Sequence, residues 1–238
     1  MATFVLVAGA WSGGYRWRAV ARRLRAAGHE VSTPTLTGLG ERVHLLTRDV
    51  DLATHVLDVA NVLVYEDLRD VVLVGHSYAG MVITGVADRL PERLAHLVYL
   101  EAPVPRDGES QLDNADRTGQ PALEDAVRRG GDGWRVPVPR LPDGSPEGGR
   151  LTPHPFATLT QPLRLTNGRA TAALPKTYVL GTETPYVRWR RAYLTERVSG
   201  PEWRLVELPT THAPMDTMPE RVIAILLEAL GPRSAAGR

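Results

Sequence analysis

The chain has 238 residues, 43% of them apolar, which suits a single α/β core of ordinary size. Its formal net charge is +1, so no global field favours nucleic acid or an anionic membrane as a partner. The lack of cysteine excludes disulfides, thiolate metal sites and a cysteine nucleophile, and no apolar run reaches the ~20 residues that span a bilayer.

Apolar runs of strand length recur along the chain, and helical patterns separate most of them. The predicted strands are 3–8, 30–35, 71–75, 96–101, 176–181 and 203–208. The predicted helices are 15–27, 52–66, 79–89, 186–197 and 219–230. This alternation predicts an α/β fold, with a mostly parallel six-stranded sheet flanked by helices.

After the fourth predicted strand the alternation fails, and Pro, Gly and Arg accumulate. In a sheet of this kind, an insertion of this size usually covers the site. We therefore predict a core formed by 1–105 and 175–232, a cap formed by 106–174, and a frayed tail at 233–238.

The third predicted strand leads into a serine that small residues flank on both sides. Gly75 precedes Ser77 by two positions, and Ala79 and Gly80 follow it. Small residues at these positions allow the tight strand-to-helix turn that exposes a nucleophilic serine above a sheet. Ser77 is therefore the candidate nucleophile.

A serine nucleophile needs a general base, and His212 is suitably placed. It follows the last predicted strand, at the same edge of the sheet from which Ser77 emerges. The other histidines lack this placement, and we interpret them as surface or packing residues. The backbone N–H groups of Ala10, after the first strand, and Tyr78, after the nucleophile, form the candidate oxyanion hole.

Taken together, these segments resemble the α/β-hydrolase superfamily, and within it the branch of small esterases and hydroxynitrile lyases. The matching segments are 4–14 with Trp17, 75–80, 99–105, 181–183 and 211–212. The resemblance implies the α/β-hydrolase fold with a cap, and acyl transfer through an acyl-enzyme on Ser77, of the esterase or thioesterase type.

The acid that orients the histidine is not where the resembling branch has it. That branch places an aspartate after the penultimate strand, at the position of Thr184, and a neutral hydroxyl cannot stabilise an imidazolium as a carboxylate does. Two replacements are available, Glu101 at the end of the fourth strand and Glu183 beside the vacant position. We favour Glu101, because side chains alternate along a strand and Glu183 should point away.

Three other functions stay open. An acyltransferase that draws on a carrier-protein thioester is the main alternative, because 128–175 holds seven arginines and three acidic residues, a rim that could dock an acidic carrier. A hydroxynitrile lyase is disfavoured, since the lysine and threonine of that family are Ala213 and Gly9 here. A non-catalytic binding protein is the third alternative, because Thr184 replaces the acid and Ala8 replaces a histidine of the resembling branch.

The substrate that we expect is a small molecule with a hydrophobic or aromatic acyl group. The candidate pocket residues are Trp11, Tyr15, Trp134 and Tyr186, although large aromatic side chains belong more often to a core. Such a reaction needs no metal and no cofactor. We expect the protein in the cytoplasm, and the sequence leaves its oligomeric state open.

Overall fold

A single six-stranded sheet forms the centre of the molecule, in a computed structural model that describes residues 1–140 and 149–231. The strand order is β2-β1-β3-β4-β7-β8, and every neighbouring pair is parallel. The strands are β1 Thr3–Val7, β2 Glu30–Ser32, β3 Val71–His76, β4 Leu94–Leu100, β7 Lys176–Gly181 and β8 Trp203–Leu208. The predicted parallel sheet is therefore confirmed. Strand β2 ends three residues early, because the chain reaches Pro34, which lacks a backbone donor.

Helices cover both faces of this sheet. They are α1 Arg18–Ala26, α2 Leu52–Tyr65, α3 Ala79–Arg89, α7 Val187–Arg197 and α9 Pro219–Glu228. Alternate residues of β1 enter two separate clusters: Phe4 packs with residues of α1 and α9, whereas Val5 packs with residues of α2 and α3. Burial on both faces explains why the central strands read as continuous apolar runs.

Local sequence signals account for the first turns of α2 and α9. The carboxylate of Asp51 accepts a hydrogen bond from the Thr54 N–H at 2.8 Å and so caps the first turn of α2. Pro219 begins α9, where its missing N–H costs no helical hydrogen bond. The predicted helix 15–27 divides into a 3-10 turn at Gly14–Trp17 and α1.

The segment between β4 and β7 forms small elements above the carboxyl ends of the strands. They are α4 Gln120–Gly130, the antiparallel pair β5 Arg135–Val136 and β6 His154–Pro155, α5 Ala157–Thr160 and α6 Gly168–Ala173. Asp88 on α3 anchors the end of this segment, because its carboxylate accepts from the N–H groups of Thr166 and Asn167 at 2.8 and 2.6 Å. We refer to 106–174, the predicted cap, by that name.

Two further expectations from the sequence concern membrane-spanning segments and the C-terminal tail. Within the described ranges, no helix is long and apolar enough to cross a membrane. The frayed tail predicted at 233–238 lies outside the residues that the structure describes.

Candidate active site

The turn after β3 brings Ser77 to the carboxyl edge of the sheet in a strained conformation. Its φ angle is +52°, in the left-handed region that non-glycine residues rarely adopt. A side chain at Gly75 would place Cβ 2.8 Å from the Ala79 carbonyl oxygen, and one at Gly80 would place it 2.2 Å from the Pro103 carbonyl oxygen. The glycines are therefore required because the backbone approaches itself on both sides of the serine.

His212 reaches Ser77 from the loop between β8 and the short helix α8, Pro214–Thr217. Its Nε2 lies 2.9 Å from the Ser77 Oγ, which is a hydrogen-bond distance. Behind it, the Nε2–H of His76 donates to the His212 carbonyl oxygen at 2.9 Å. Burial holds the pKa of His76 well below its usual value, so this ring stays neutral and supports the histidine loop without adding charge.

Glu101 lies on the other side of His212, directly after β4. Its side chain is fully buried, and its φ angle of +50° lies in the left-handed region that non-glycine residues rarely adopt. Oε1 accepts a hydrogen bond from the Gly181 N–H at 2.7 Å, and Oε2 lies 3.4 Å from the His212 Nδ1. A side chain at Gly181 would place Cβ 2.6 Å from the Thr211 carbonyl oxygen, so β7 and the histidine loop are in close contact.

The other candidate acid stands apart from this arrangement. Glu183 is exposed at the rim of the cavity beside Ser77. Thr184, where the resembling branch has its acid, is buried, and its hydroxyl has no hydrogen-bond partner in the described part of the chain. Of the two glutamates, Glu101 is therefore the one in contact with the imidazole.

The chain 9–12 after β1 passes directly beside the serine. A Cβ on Gly9 would lie 2.8 Å from the Ser77 Cβ, so only glycine allows this approach. The buried Ser12 hydroxyl donates to the Gly9 carbonyl oxygen at 3.2 Å. That carbonyl shares a peptide unit with the Ala10 N–H, so the hydroxyl fixes the plane of this donor. In residues 1–140 and 149–231, neither the Ala10 N–H nor the Tyr78 N–H donates to another protein group.

A cavity of about 660 Å³ opens beside Ser77 and His212. Two of the candidate pocket residues, Trp11 and Tyr186, line it. Tyr15 and Trp134 do not: the Tyr15 hydroxyl donates to the Arg150 carbonyl oxygen at 3.3 Å, beside a different cavity, and the Trp134 ring packs against arginine side chains. The remaining lining is Gly9, Ala10, Ser12, Arg16, His76, Pro139, Leu151, Glu183, Thr184, Pro185, Thr211 and Ala213.

Two buried histidines near this site were interpreted from the sequence as surface or packing residues. His55 Nε2–H donates to the Thr37 carbonyl oxygen at 2.9 Å, and its Nδ1 accepts from the Tyr78 hydroxyl at 2.9 Å. The ring centroid of His154 lies 4.9 Å from that of Tyr78. Burial lowers the pKa of His55 to about 4 and that of His154 well below its usual value. No local sequence signal identifies them, because their neighbours come from distant segments.

A model of the alpha/beta hydrolase family matches residues 4–225. The chain belongs to the alpha/beta hydrolase family. The expected resemblance and fold are thereby confirmed.

Curated members of the alpha/beta hydrolase family with similar sequences include two esterases of small molecules. A carbendazim hydrolyzing esterase from Nocardioides sp. (strain SG-4G) is 39% identical, over 97% of this chain and 100% of the relative. A pyrethroid hydrolase from Sphingobium wenxiniae is 28% identical, over 92% of this chain and 84% of the relative. This alpha/beta hydrolase is accordingly an enzyme of the serine-hydrolase type with esterase relatives.

Solved structures agree on the architecture. An extracellular alpha/beta-hydrolase from a Paenibacillus species superimposes with a TM-score of 0.81, at 24% identity, over 96% of this chain and 99% of that one. At this identity the likeness shows the fold, while function rests on the site and on the curated relatives.

Proposed function

We propose that the protein is an esterase that hydrolyses small esters or carbamates through an acyl-enzyme on Ser77. The observation that carries this proposal is the hydrogen-bonded series of Ser77, His212 and the buried Glu101, with distances of 2.9 and 3.4 Å, beside an open cavity. Serine, imidazole and carboxylate in this order are the parts that acyl transfer requires.

Each group has one task in the reaction. The Ser77 Oγ attacks the substrate carbonyl while the His212 Nε2 takes its proton. Glu101 holds the proton on Nδ1 and stabilises the imidazolium that forms. The Ala10 and Tyr78 N–H groups donate to the oxygen on which negative charge develops. Collapse of the intermediate expels the alcohol, which takes the proton from His212, and water then repeats these steps to release the acid.

The cavity is suited to a small hydrophobic or aromatic acyl group. Its volume of about 660 Å³ lies within the usual range for small-molecule sites. Trp11 and Tyr186 present aromatic surface beside the serine, and such surface suits an aromatic or other apolar acyl group. The names of the esterase relatives agree with this class, since carbendazim is an aromatic methyl carbamate and pyrethroids are apolar esters.

Hydrolysis can be tested with two kinds of ester. We expect the protein to hydrolyse p-nitrophenyl acetate and carbendazim, with a burst of p-nitrophenol equal in amount to the protein if deacylation is the slower step. Ser77→Ala should remove turnover of both. A purified, folded protein that hydrolyses neither ester, or a Ser77→Ala variant that hydrolyses them as the parent does, would contradict the proposal.

The alternative function is an acyltransferase, which would pass the acyl group from a carrier-protein thioester to an acceptor other than water. The described arginines of the cap give it limited support, because Arg128 and Arg129 both pair with Asp125, and Arg135 pairs with Asp132. If an acidic carrier delivers the acyl group, turnover of a carrier-bound thioester should fall as salt screens the docking surface. Rapid hydrolysis that does not depend on salt would identify a simple esterase or thioesterase.

A further inference from the structure

The loop that supplies the Ala10 N–H contains a second strained residue. Trp11 has a φ angle of +62°, a left-handed conformation that is costly for a bulky side chain. A residue persists in such a conformation only where its surroundings hold it there. The groups that hold Trp11 come from the cap, more than a hundred residues later in the sequence.

Both peptide groups of Trp11 bind the cap. On its carbonyl side, the Trp11 oxygen accepts from the Thr152 N–H at 2.9 Å. On its amide side, the Trp11 N–H donates to the His154 Nδ1 at 3.4 Å. These two contacts fix the peptide planes before and after Trp11, and the first of those planes is joined directly to the α-carbon of Ala10.

The hydrogen-bond partners of His154 specify which of its nitrogens can accept. The backbone N–H of Trp11 can only donate, so the His154 Nδ1 that it contacts is unprotonated. The neutral ring then carries its proton on Nε2, which lies 2.7 Å from the Thr158 Oγ1. That oxygen can accept from Nε2–H while its own hydroxyl donates to the Pro155 carbonyl oxygen at 2.8 Å. The ring is fully buried, and burial favours this neutral form.

The same ring also contacts the second residue of the oxyanion hole. Its centroid lies 4.9 Å from that of Tyr78 in an edge-on arrangement and 5.9 Å from that of Trp11. One cap histidine thus contacts both segments that carry the candidate oxyanion-hole N–H groups. Neither contact reaches the reacting atoms, so any effect of His154 on the reaction acts through the residues that it holds.

We propose that His154 is a positioning residue of the oxyanion hole, which holds the 9–12 loop in its strained conformation by accepting from the Trp11 N–H and packing against Tyr78. The inference rests on the proposed function, because it gives the loop a purpose only if Ala10 and Tyr78 bind an oxyanion. It adds a role for the cap, which orders the catalytic loop as well as covering the cavity.

The test uses a substitution that removes the acceptor and one that keeps it. His154→Phe retains a buried ring without a nitrogen, whereas His154→Gln offers an amide oxygen to Trp11 and an amide N–H to Thr158. Loss of an oxyanion donor costs about 10²–10³ in kcat, and a displaced donor should cost less, so we expect His154→Phe to lower kcat by about 10–100-fold with KM within about twofold. His154→Gln should recover most of this loss.

A transition-state analogue distinguishes weaker binding of the oxyanion from a general loss of structure. An arylboronic acid forms a tetrahedral adduct with the serine, so its affinity should fall in His154→Phe by about the same factor as kcat/KM. Circular dichroism and thermal unfolding verify the fold. If His154→Phe is not folded, Thr158→Val replaces it, since loss of that hydroxyl removes the partner that keeps the proton on Nε2. Thr160→Val, an exposed residue of the same short helix, is the matched control and should leave kcat unchanged.

The outcomes distinguish failure of the His154 positioning role from failure of the proposed esterase activity. Folded His154→Phe or Thr158→Val with the kcat and boronate affinity of the parent would overturn the positioning role, while an inactive Ser77→Ala variant would still support the esterase. A His154→Gln variant as impaired as His154→Phe would also overturn it, because an acceptor alone should restore the loop. An active Ser77→Ala variant would remove both the proposed function and this inference.

Discussion

Replacement of Glu101 by glutamine tests the acid of the proposed triad, because it removes one charge and preserves shape. The Gly181 N–H occupies Oε1 at 2.7 Å, so in Glu101→Gln the side-chain oxygen should keep that bond and the new NH₂ should face the His212 Nδ1. A donor facing Nδ1 requires the tautomer with hydrogen on Nε2. That tautomer cannot accept the proton of Ser77, whose Oγ lies 2.9 Å away.

The expected loss follows from this change of tautomer and charge. Loss of the triad acid's charge lowers kcat by about 10⁴ in a well-aligned triad. The Glu101–His212 distance is 3.4 Å, longer than in a strong charged hydrogen bond. We therefore expect a decrease of about 10³–10⁴, equivalent to about 4–5.5 kcal/mol in activation free energy.

The assay compares kcat for p-nitrophenyl acetate in the parent, Glu101→Gln and Glu183→Gln, with thermal unfolding as the check on folding. Glu183→Gln is the matched control, since that side chain is exposed at the cavity rim, and it should be nearly silent. A folded Glu101→Gln variant within about tenfold of the parent would refute the assignment. So would a Glu183→Gln variant with the greater loss.

Three further predictions follow from the same geometry. His212→Ala should reduce kcat nearly as much as Ser77→Ala, because the two side chains act as a unit. Single-turnover rates should show that the double variant is little worse than either single variant. Additive losses would mean that the two residues do not share a step. Ser12→Ala should lower kcat about tenfold without changing KM, because the Gly9–Ala10 peptide loses the hydroxyl that orients it; an unchanged kcat would contradict this. The His55 pKa is near 6.5 in the unfolded chain, but burial lowers it to about 4 in the folded protein. The neutral, buried ring therefore contributes fully to the free energy of unfolding above pH 6.5, and this contribution declines as the pH falls to about 4. Urea unfolding should show that His55→Gln loses roughly 3 kcal/mol less than the parent over this interval, and equal losses would argue against a neutral buried ring.

Local patterns in the sequence were sufficient for the sheet and for the serine turn. The central strands are recognisable as apolar runs because both of their faces are buried. Gly75 before Ser77 reflects a contact with Ala79, only four positions along the chain. Glu101 could be preferred over Glu183 because side-chain alternation along a strand is a local rule. The structure places the Oε2 of Glu101 near the imidazole.

Features that depend on contacts between distant segments could not be predicted from local sequence patterns. Tyr15 and Trp134 were expected in the pocket on residue type alone, yet where an aromatic ring points depends on how distant segments pack. His154 and His55 looked ordinary because their partners lie 143 and 23 positions away, at Trp11 and Tyr78.

Covalent labelling shows whether Ser77 is a nucleophile that His212 activates. The protein would be incubated with a fluorophosphonate and analysed by intact mass and peptide mapping, beside Ser77→Ala and His212→Ala. We predict one adduct, on Ser77, that is absent in Ser77→Ala and forms far more slowly in His212→Ala. A folded parent protein that remains unlabelled, or an adduct on another residue, would contradict the account.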